Sequence, residues 1–196
     1  MIKNIIIGLS LLFVSCIDVI IDEEFYESIH LNNSGWFEFY QNTVGNDLNV
    51  NQNYTFQLWF SGTQTADLEA PCIFDLNDND LNVSIYRNAN ISNQLTIYVD
   101  NQLSSEINVE NADFNNENNF YLLSVIIDND NLIIYLNENQ IFQENITLSL
   151  NPQFIVGADK ENNAISNLWY GYIDEIRIWN QSLSQEVIEF HNQYKY

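Results

Sequence analysis

Basic residues are scarce: five lysines and arginines face 27 aspartates and glutamates, a formal charge of -22 over 196 residues. No Lys/Arg cluster exists to release counterions from phosphates, which excludes double-stranded nucleic acid as a partner. Two cysteines are too few for a disulfide framework. The only histidines, His30 and His191, fall in a first strand and a last helix, and no Cys/His spacing suits a metal. Helical periodicity is nearly absent. The longest apolar run, Ile5 to Val14, falls well short of the roughly 20 residues that span a bilayer. What the chain does have is 12 Phe, 11 Tyr and 4 Trp among 46% apolar residues, enough to offset the entropy of ordering in one domain.

Lys3, the run Ile5 to Val14 and then Ser15-Cys16 have the parts of a secretory signal: a cationic start, an apolar stretch and a small residue at the cut. Leu12-Phe13-Val14-Ser15-Cys16 resembles a bacterial lipobox, in which the cysteine is acylated and becomes the mature N-terminus. Phe13 departs from the usual aliphatic residue, and ordinary cleavage near Ser15 is the other reading. The resemblance implies a signal peptide over 1–15, lipid on Cys16 and a place in the bacterial cell envelope, held to the outer membrane or cell surface by the anchor. An acidic tether follows over 16–27, with Asp18, Asp22, Glu23, Glu24 and Glu27. Cys72, in Pro71-Cys72-Ile73-Phe74, is then without a partner and reads as a small buried apolar residue.

From residue 28 to 196 short apolar stretches alternate with Asn, Asp, Ser and Gly clusters, which predicts an all-β sandwich or barrel. Tyr54, Phe56, Leu58 and Phe60 share one strand face, and Leu81, Val83, Ile85 with Leu95, Ile97, Val99 point inward on two more strands. Tyr86 and Tyr98 fall on the opposite parity. Tyr121 to Ile127 and Leu132 to Leu136, apolar at almost every position, predict a central hairpin closed by Asp128-Asn129-Asp130-Asn131. A turn at Asn137-Glu138-Asn139-Gln140 leads into a strand over Ile141 to Leu150. One helix is expected, capped by Ser184, with Glu186 at its positive end and Val187, Ile188 and Phe190 as its apolar side.

Tyr170-Gly171-Tyr172-Ile173-Asp174-Glu175-Ile176-Arg177-Ile178-Trp179-Asn180-Gln181-Ser182-Leu183-Ser184 resembles the last strand of laminin G-like jelly rolls in the concanavalin A-like lectin/glucanase superfamily. Tyr54 to Phe60, Phe120 to Val125 with Leu132 to Asn137, and Phe154-Ile155-Val156-Gly157 are similar to its core strands. The resemblance implies an antiparallel two-sheet β-sandwich with a short C-terminal helix, a fold used for sugar or protein binding and sometimes for glucan hydrolysis. It also implies a structural Ca²⁺, held by Asp174 with the oxygen-rich loop containing Asn33 and Gly35. Glu175 and Arg177 are expected to pair on one strand face.

The Glu-x-Asp-x-x-Glu spacing that sends catalytic carboxylates of superfamily glucanases into a cleft does not occur. The expected function is therefore non-catalytic: an exported, lipid-anchored module that recognises a glycan or a cell-surface protein. The alternatives are a structural or adhesion subunit without a sugar site, or a glucan hydrolase. Sugar binding calls for an exposed ring flanked by amides and carboxylates, and Trp36, Trp169 and Tyr170, near loop ends, are the candidates.

Overall fold

The computed structural model describes residues 16–17, 29–32, 35–39, 53–64, 70–77, 82–146, 153–161 and 164–193. In chain order the strands are β1 Cys16–Ile17, β2 Ile29–Asn32, β3 Phe37–Phe39, β4 Asn53–Gly62, β5 Cys72–Asn77, β6 Asn82–Arg87, β7 Gln94–Val99 and β8 Gln102–Asn108. After them come β9 Tyr121–Asp128, β10 Asn131–Leu136, β11 Asn139–Asn145, β12 Gln153–Val156, β13 Asp159–Glu161, β14 Ala164–Ser166 and β15 Tyr170–Trp179, then helix α1 Gln185–Gln193. The signal segment, all but the first two residues of the tether, and positions 147–150 lie outside the described residues.

The chain makes two antiparallel sheets. One runs β1-β15-β4-β9-β10-β11, with β2 also on β15; the other runs β3-β12-β5-β6-β7-β8, and β13-β14 form a separate hairpin. The expected two-sheet sandwich with a short terminal helix is the fold observed. Tyr54, Phe56, Leu58 and Phe60 meet Phe74, Leu76, Val83, Ile85, Leu95 and Ile97 between the layers, all at 2% exposure or less. Each such side chain contributes about 1.5–3 kcal/mol by leaving water. Phe56 stands at the centre, its ring 4.8 Å from that of Phe74 and 5.5 Å from that of Phe154.

The predicted β9–β10 hairpin is present, with Asn129 at φ 53° in its tight turn. Its continuous apolarity has the expected cause, because β9 is covered on both faces. Val125 and Ile127 face the other sheet, whereas Ile126 joins Tyr135, Leu183 and Ile188 beneath α1. Thr55 fixes the approach to that helix: its hydroxyl donates to the Gln181 carbonyl and accepts the buried Leu183 amide, both at 2.9 Å. Thr55→Val, nearly isosteric, should lower unfolding free energy by about 1–2 kcal/mol in urea titration, because the Leu183 amide then stays buried without an acceptor.

The helix departs from expectation on one side. Ile188 is fully buried, but Phe190 is 54% exposed, because two residues along a 3.6-residue helix is a turn of about 200°. The buried side is completed by His191 instead. Its ring stacks on Trp179 at 5.2 Å, and its Nδ1 lies 2.9 Å from Gln57 Oε1. Gln57 Oε1 also accepts Trp179 Nε1–H at 3.1 Å, and Gln57 donates to Ser124 at 2.9 Å. This polar network and α1 cover part of the outer face of the larger sheet. At the start of the helix the Ser184 carbonyl accepts the Val187 and Ile188 amides at 3.1 Å. The Ser184 hydroxyl bonds Glu186 and holds that carboxyl below its ordinary range.

Candidate functional site

The outer face of the smaller sheet carries a polar groove of about 280 Å³. Strand alternation explains its floor. With Leu76, Val83, Ile85, Leu95 and Ile97 turned into the core, Asp75, Ser84, Tyr86 and Tyr98 point the other way. Register then aligns them. Glu38, Ile155, Asp75, Ser84, Tyr98 and Leu103 are successive cross-strand partners on β3, β12, β5, β6, β7 and β8. The β13–β14 hairpin supplies one wall through Asp159, Lys160 and Asn167, and Asn101, in the β7–β8 turn at φ 58°, stands on the lining opposite.

Two carboxylates organise the groove. Asp75, with no solvent exposure, accepts the Ser84 hydroxyl at 2.6 Å and the Asn82 amide at 3.2 Å on Oδ1, and the Lys160 backbone N–H at 3.3 Å on Oδ2. Burial pushes its pKa up to about 6 despite these donors, and the neighbouring Asp159 adds to the rise. Asp159 accepts the Tyr86 hydroxyl and the Asn167 amide, each at 2.7 Å, on Oδ2 and the Ser166 hydroxyl on Oδ1. Burial also raises the Tyr86 phenol, which therefore stays protonated and donates. The rings of Tyr86 and Tyr98 meet edge to face, centroids 5.4 Å apart at 84°. Lys160 Nζ is paired with Glu38, which also takes the Gln153 amide.

The residues expected to bind ligand are elsewhere. Trp169 is fully buried, 5.8 Å from Phe60 and 5.3 Å from the Arg87 guanidinium. It cannot present a stacking face, because β15 turns it into the core one residue before pairing begins. Tyr170 is half-buried, edge-on to His30 at 5.9 Å, and Trp36 is 41% exposed ahead of β3. Neither lines the groove. Of the residues expected to hold calcium, Asp174 and Gly35 are not brought together. On β15, Tyr170 pairs with Asn32 and Ile173 with Ile29, so Asp174 lies beyond the far end of β2 from Gly35. Asn33 lies outside the described residues. Among the described residues no group of three or more His, Cys, Asp or Glu is placed to hold a metal.

Other expectations hold. Glu175 and Arg177 pair at 2.5 Å. Cys72 is buried as a free thiol, and burial raises its pKa well above the ordinary value. His30, on β2, is exposed and packs on Tyr172 at 4.5 Å. The tether expected over 16–27, by contrast, begins in a strand, Cys16 pairing with Trp179 and Ile17 with Ile178. Among the described residues no helix is long and apolar enough to cross a membrane. Sequence reasoning overlooked Asp75, Ser84, Asp159 and Lys160. The one legible trace of the groove was the outward parity of Tyr86 and Tyr98.

A family model described as concanavalin A-like lectin/glucanases superfamily matches residues 32–189. The fold is similar to that of the CBM40 of the Ruminococcus gnavus IT-sialidase, solved bound to α2,3-sialyllactose. That likeness has a TM-score of 0.61 and 10% identity, over 85% of this chain and 96% of that one. It is also similar to the NanB sialidase from Streptococcus pneumoniae (TM-score 0.57, 16% identity, 83% of this chain and 27% of that one). A third neighbour is the receptor binding domain of a botulinum neurotoxin C/D mosaic serotype (TM-score 0.58, 12% identity, 84% and 41%). The chain thus spans about a quarter of the sialidase and nearly the whole of the CBM40. No curated protein sequence matches it.

Proposed function

The chain belongs to the concanavalin A-like lectin/glucanases superfamily, and from that premise we propose that it is a non-catalytic glycan-binding module whose sugar site is the Tyr86–Tyr98 groove. The observation that carries this reading is the register row that sets Asp75, Ser84 and Tyr98 side by side under a hairpin bearing Asp159 and Asn167. Rings offer an apolar surface to the C–H face of a sugar, while amides and carboxylates bond its hydroxyls. A neighbour of the same fold was solved with a sialylated sugar bound, which supports the class of ligand. On a glycan array the full chain is expected to bind at least one oligosaccharide, with or without Ca²⁺. An array blank under both conditions would end the proposal.

Hydrolysis has one observation in its favour, since Asp75 near pKa 6 beside a second carboxylate resembles an acid–base pair. Asp75 lies below the surface, however, and each carboxylate already holds three donors. A glycosidase acid must touch the scissile oxygen. Release of reducing sugar that disappears in Asp75→Asn would establish catalysis instead.

The module is proposed to be exported and anchored through lipid on Cys16, on the strength of Lys3, the apolar run and Ser15-Cys16. Two or three acyl chains, at about 0.8 kcal/mol per buried CH₂, hold a protein stably where one is marginal. Metabolic labelling in a bacterial host with an alkyne fatty acid should mark the protein, and Cys16→Ala should abolish the label and release the protein from membranes.

A further inference from the structure

We infer that the groove selects uncharged sugars and rejects those carrying a carboxylate, although one structural neighbour was solved with sialyllactose; this deepens, and rests on, the glycan reading of the groove. The reason lies in where the cations are. A carboxylated sugar is ordinarily held by a guanidinium or ammonium that spends its donors on the two oxygens. Of the five cations in this chain, Lys3 and Lys195 lie outside the described residues. Arg87 points inward, its Nη1 donating to the carbonyls of Thr63 and Phe114 and to Asn115 Oδ1 at 2.6–3.2 Å. Arg177 is paired with Glu175 on the opposite sheet. Among the described residues Lys160 is the one cation that lines the groove, and its ammonium is engaged by Glu38.

One acceptor open to a ligand remains among the two groove carboxylates, and it is anionic. A carboxylate offers about four lone-pair sites. Asp75 and Asp159 each use three, on the Ser84, Asn82 and Lys160 donors and on the Tyr86, Ser166 and Asn167 donors. Asp75 is fully buried, out of reach of a ligand, but the partly exposed Asp159 keeps room for about one more donor, which a sugar hydroxyl supplies and a sugar carboxylate does not. A ligand carboxylate placed there meets two like charges in a chain of net charge -22, and the low local dielectric strengthens that repulsion. The volume of about 280 Å³ sits at the small end of ligand pockets, roughly 300–1,000 Å³, and suits a short saccharide rather than a long chain. The ligand is thus a neutral mono- or oligosaccharide with adjacent hydroxyls, one ring face lying on Tyr98.

The test is a titration of the full-length protein, followed by calorimetry and by NMR of labelled tyrosine, with neutral disaccharides (lactose, cellobiose, maltose, mannobiose, diacetylchitobiose) and with 3′-sialyllactose. At least one neutral sugar should bind, perturb Tyr86 and Tyr98, and lose about tenfold in affinity in Tyr98→Ala. Sialyllactose should bind at least tenfold more weakly than that sugar, with the gap narrowing as salt rises. Sialyllactose binding as tightly or more tightly in the same groove overturns the selectivity while the glycan reading stands. A neutral sugar that binds but ignores Tyr98→Ala overturns the groove as its site. If neither kind of sugar binds, the glycan reading falls and takes this inference with it.

Discussion

Trp169→Ala should lower the unfolding free energy by about 3–5 kcal/mol in urea titration, whereas Trp36→Ala should change it by no more than about 0.5 kcal/mol. Trp169 has no solvent exposure. Removing the indole leaves a cavity between Phe60 and Arg87 that the close-packed sheets cannot collapse to fill. The loss also strips Arg87 of the ring beneath its guanidinium. Burial already lowers the pKa of that group to about 10, so it gains nothing from further isolation. Trp36, 41% exposed, has little packing to lose. If Trp169→Ala proved as stable as the parent, the indole would not be a core group and the placement of β15 would be wrong.

The second large effect concerns acid. Asp75 has a folded pKa of about 6 against an ordinary 3.8. Its ionised form is therefore disfavoured by folding, and the penalty is absent below about pH 4 and complete above about pH 6. At neutral pH this amounts to about 3 kcal/mol. His191 acts in the opposite sense: burial, and then the nearby Arg177, lower it from 6.5 to about 4. The folded state keeps it neutral, and stability is lost as pH falls through the same window. The two slopes oppose one another in the parent protein. Asp75→Asn should be more stable than the parent near pH 7 by about 1–2 kcal/mol, the remainder being offset by an amide that meets the Lys160 N–H donor to donor. That variant should then lose its advantage by about pH 4. His191→Gln should show the mirror profile, gaining on the parent as pH falls. Denaturant titrations of the three proteins across that range decide it, and parallel profiles for Asp75→Asn and parent would refute the burial of a charged Asp75. Repulsion among the remaining acids is common to all three and cancels in the comparison.

The fold was legible because period-2 alternation is a local property. Tyr54 to Phe60 and Leu95 to Val99 declare their inward faces without reference to any partner, and Asn129 closes a hairpin whose two strands adjoin it in the chain. Phe190 was misread because two neighbouring apolar residues suggested a face that a 3.6-residue turn splits. Trp169 was misread because proximity to a loop is a poor guide to depth: its position depends on the Gly157 carbonyl, which accepts its amide at 2.7 Å from another strand's end. The separation of Asp174 from Gly35 has a related cause. Asp174 and Gly35 are set apart by register: Tyr170 pairs with Asn32 and Ile173 with Ile29, so the antiparallel run carries the two away from each other.

The amino-acid order by itself determined which residues of β4 and β7 turn into the core between the sheets, where the central hairpin turns, that Cys72 is a buried thiol, and that the chain carries too few cations to grip a polyanion. Only the tertiary structure decided the groove. Asp75, Ser84 and Tyr98 come from three strands, and Asp159 and Lys160 from a hairpin some 60 residues or more further along than Tyr98. Their meeting is fixed by inter-strand register and by the hairpin's fold over the sheet. Register is set by hydrogen bonds between segments distant in the chain, so no local pattern of polarity encodes it.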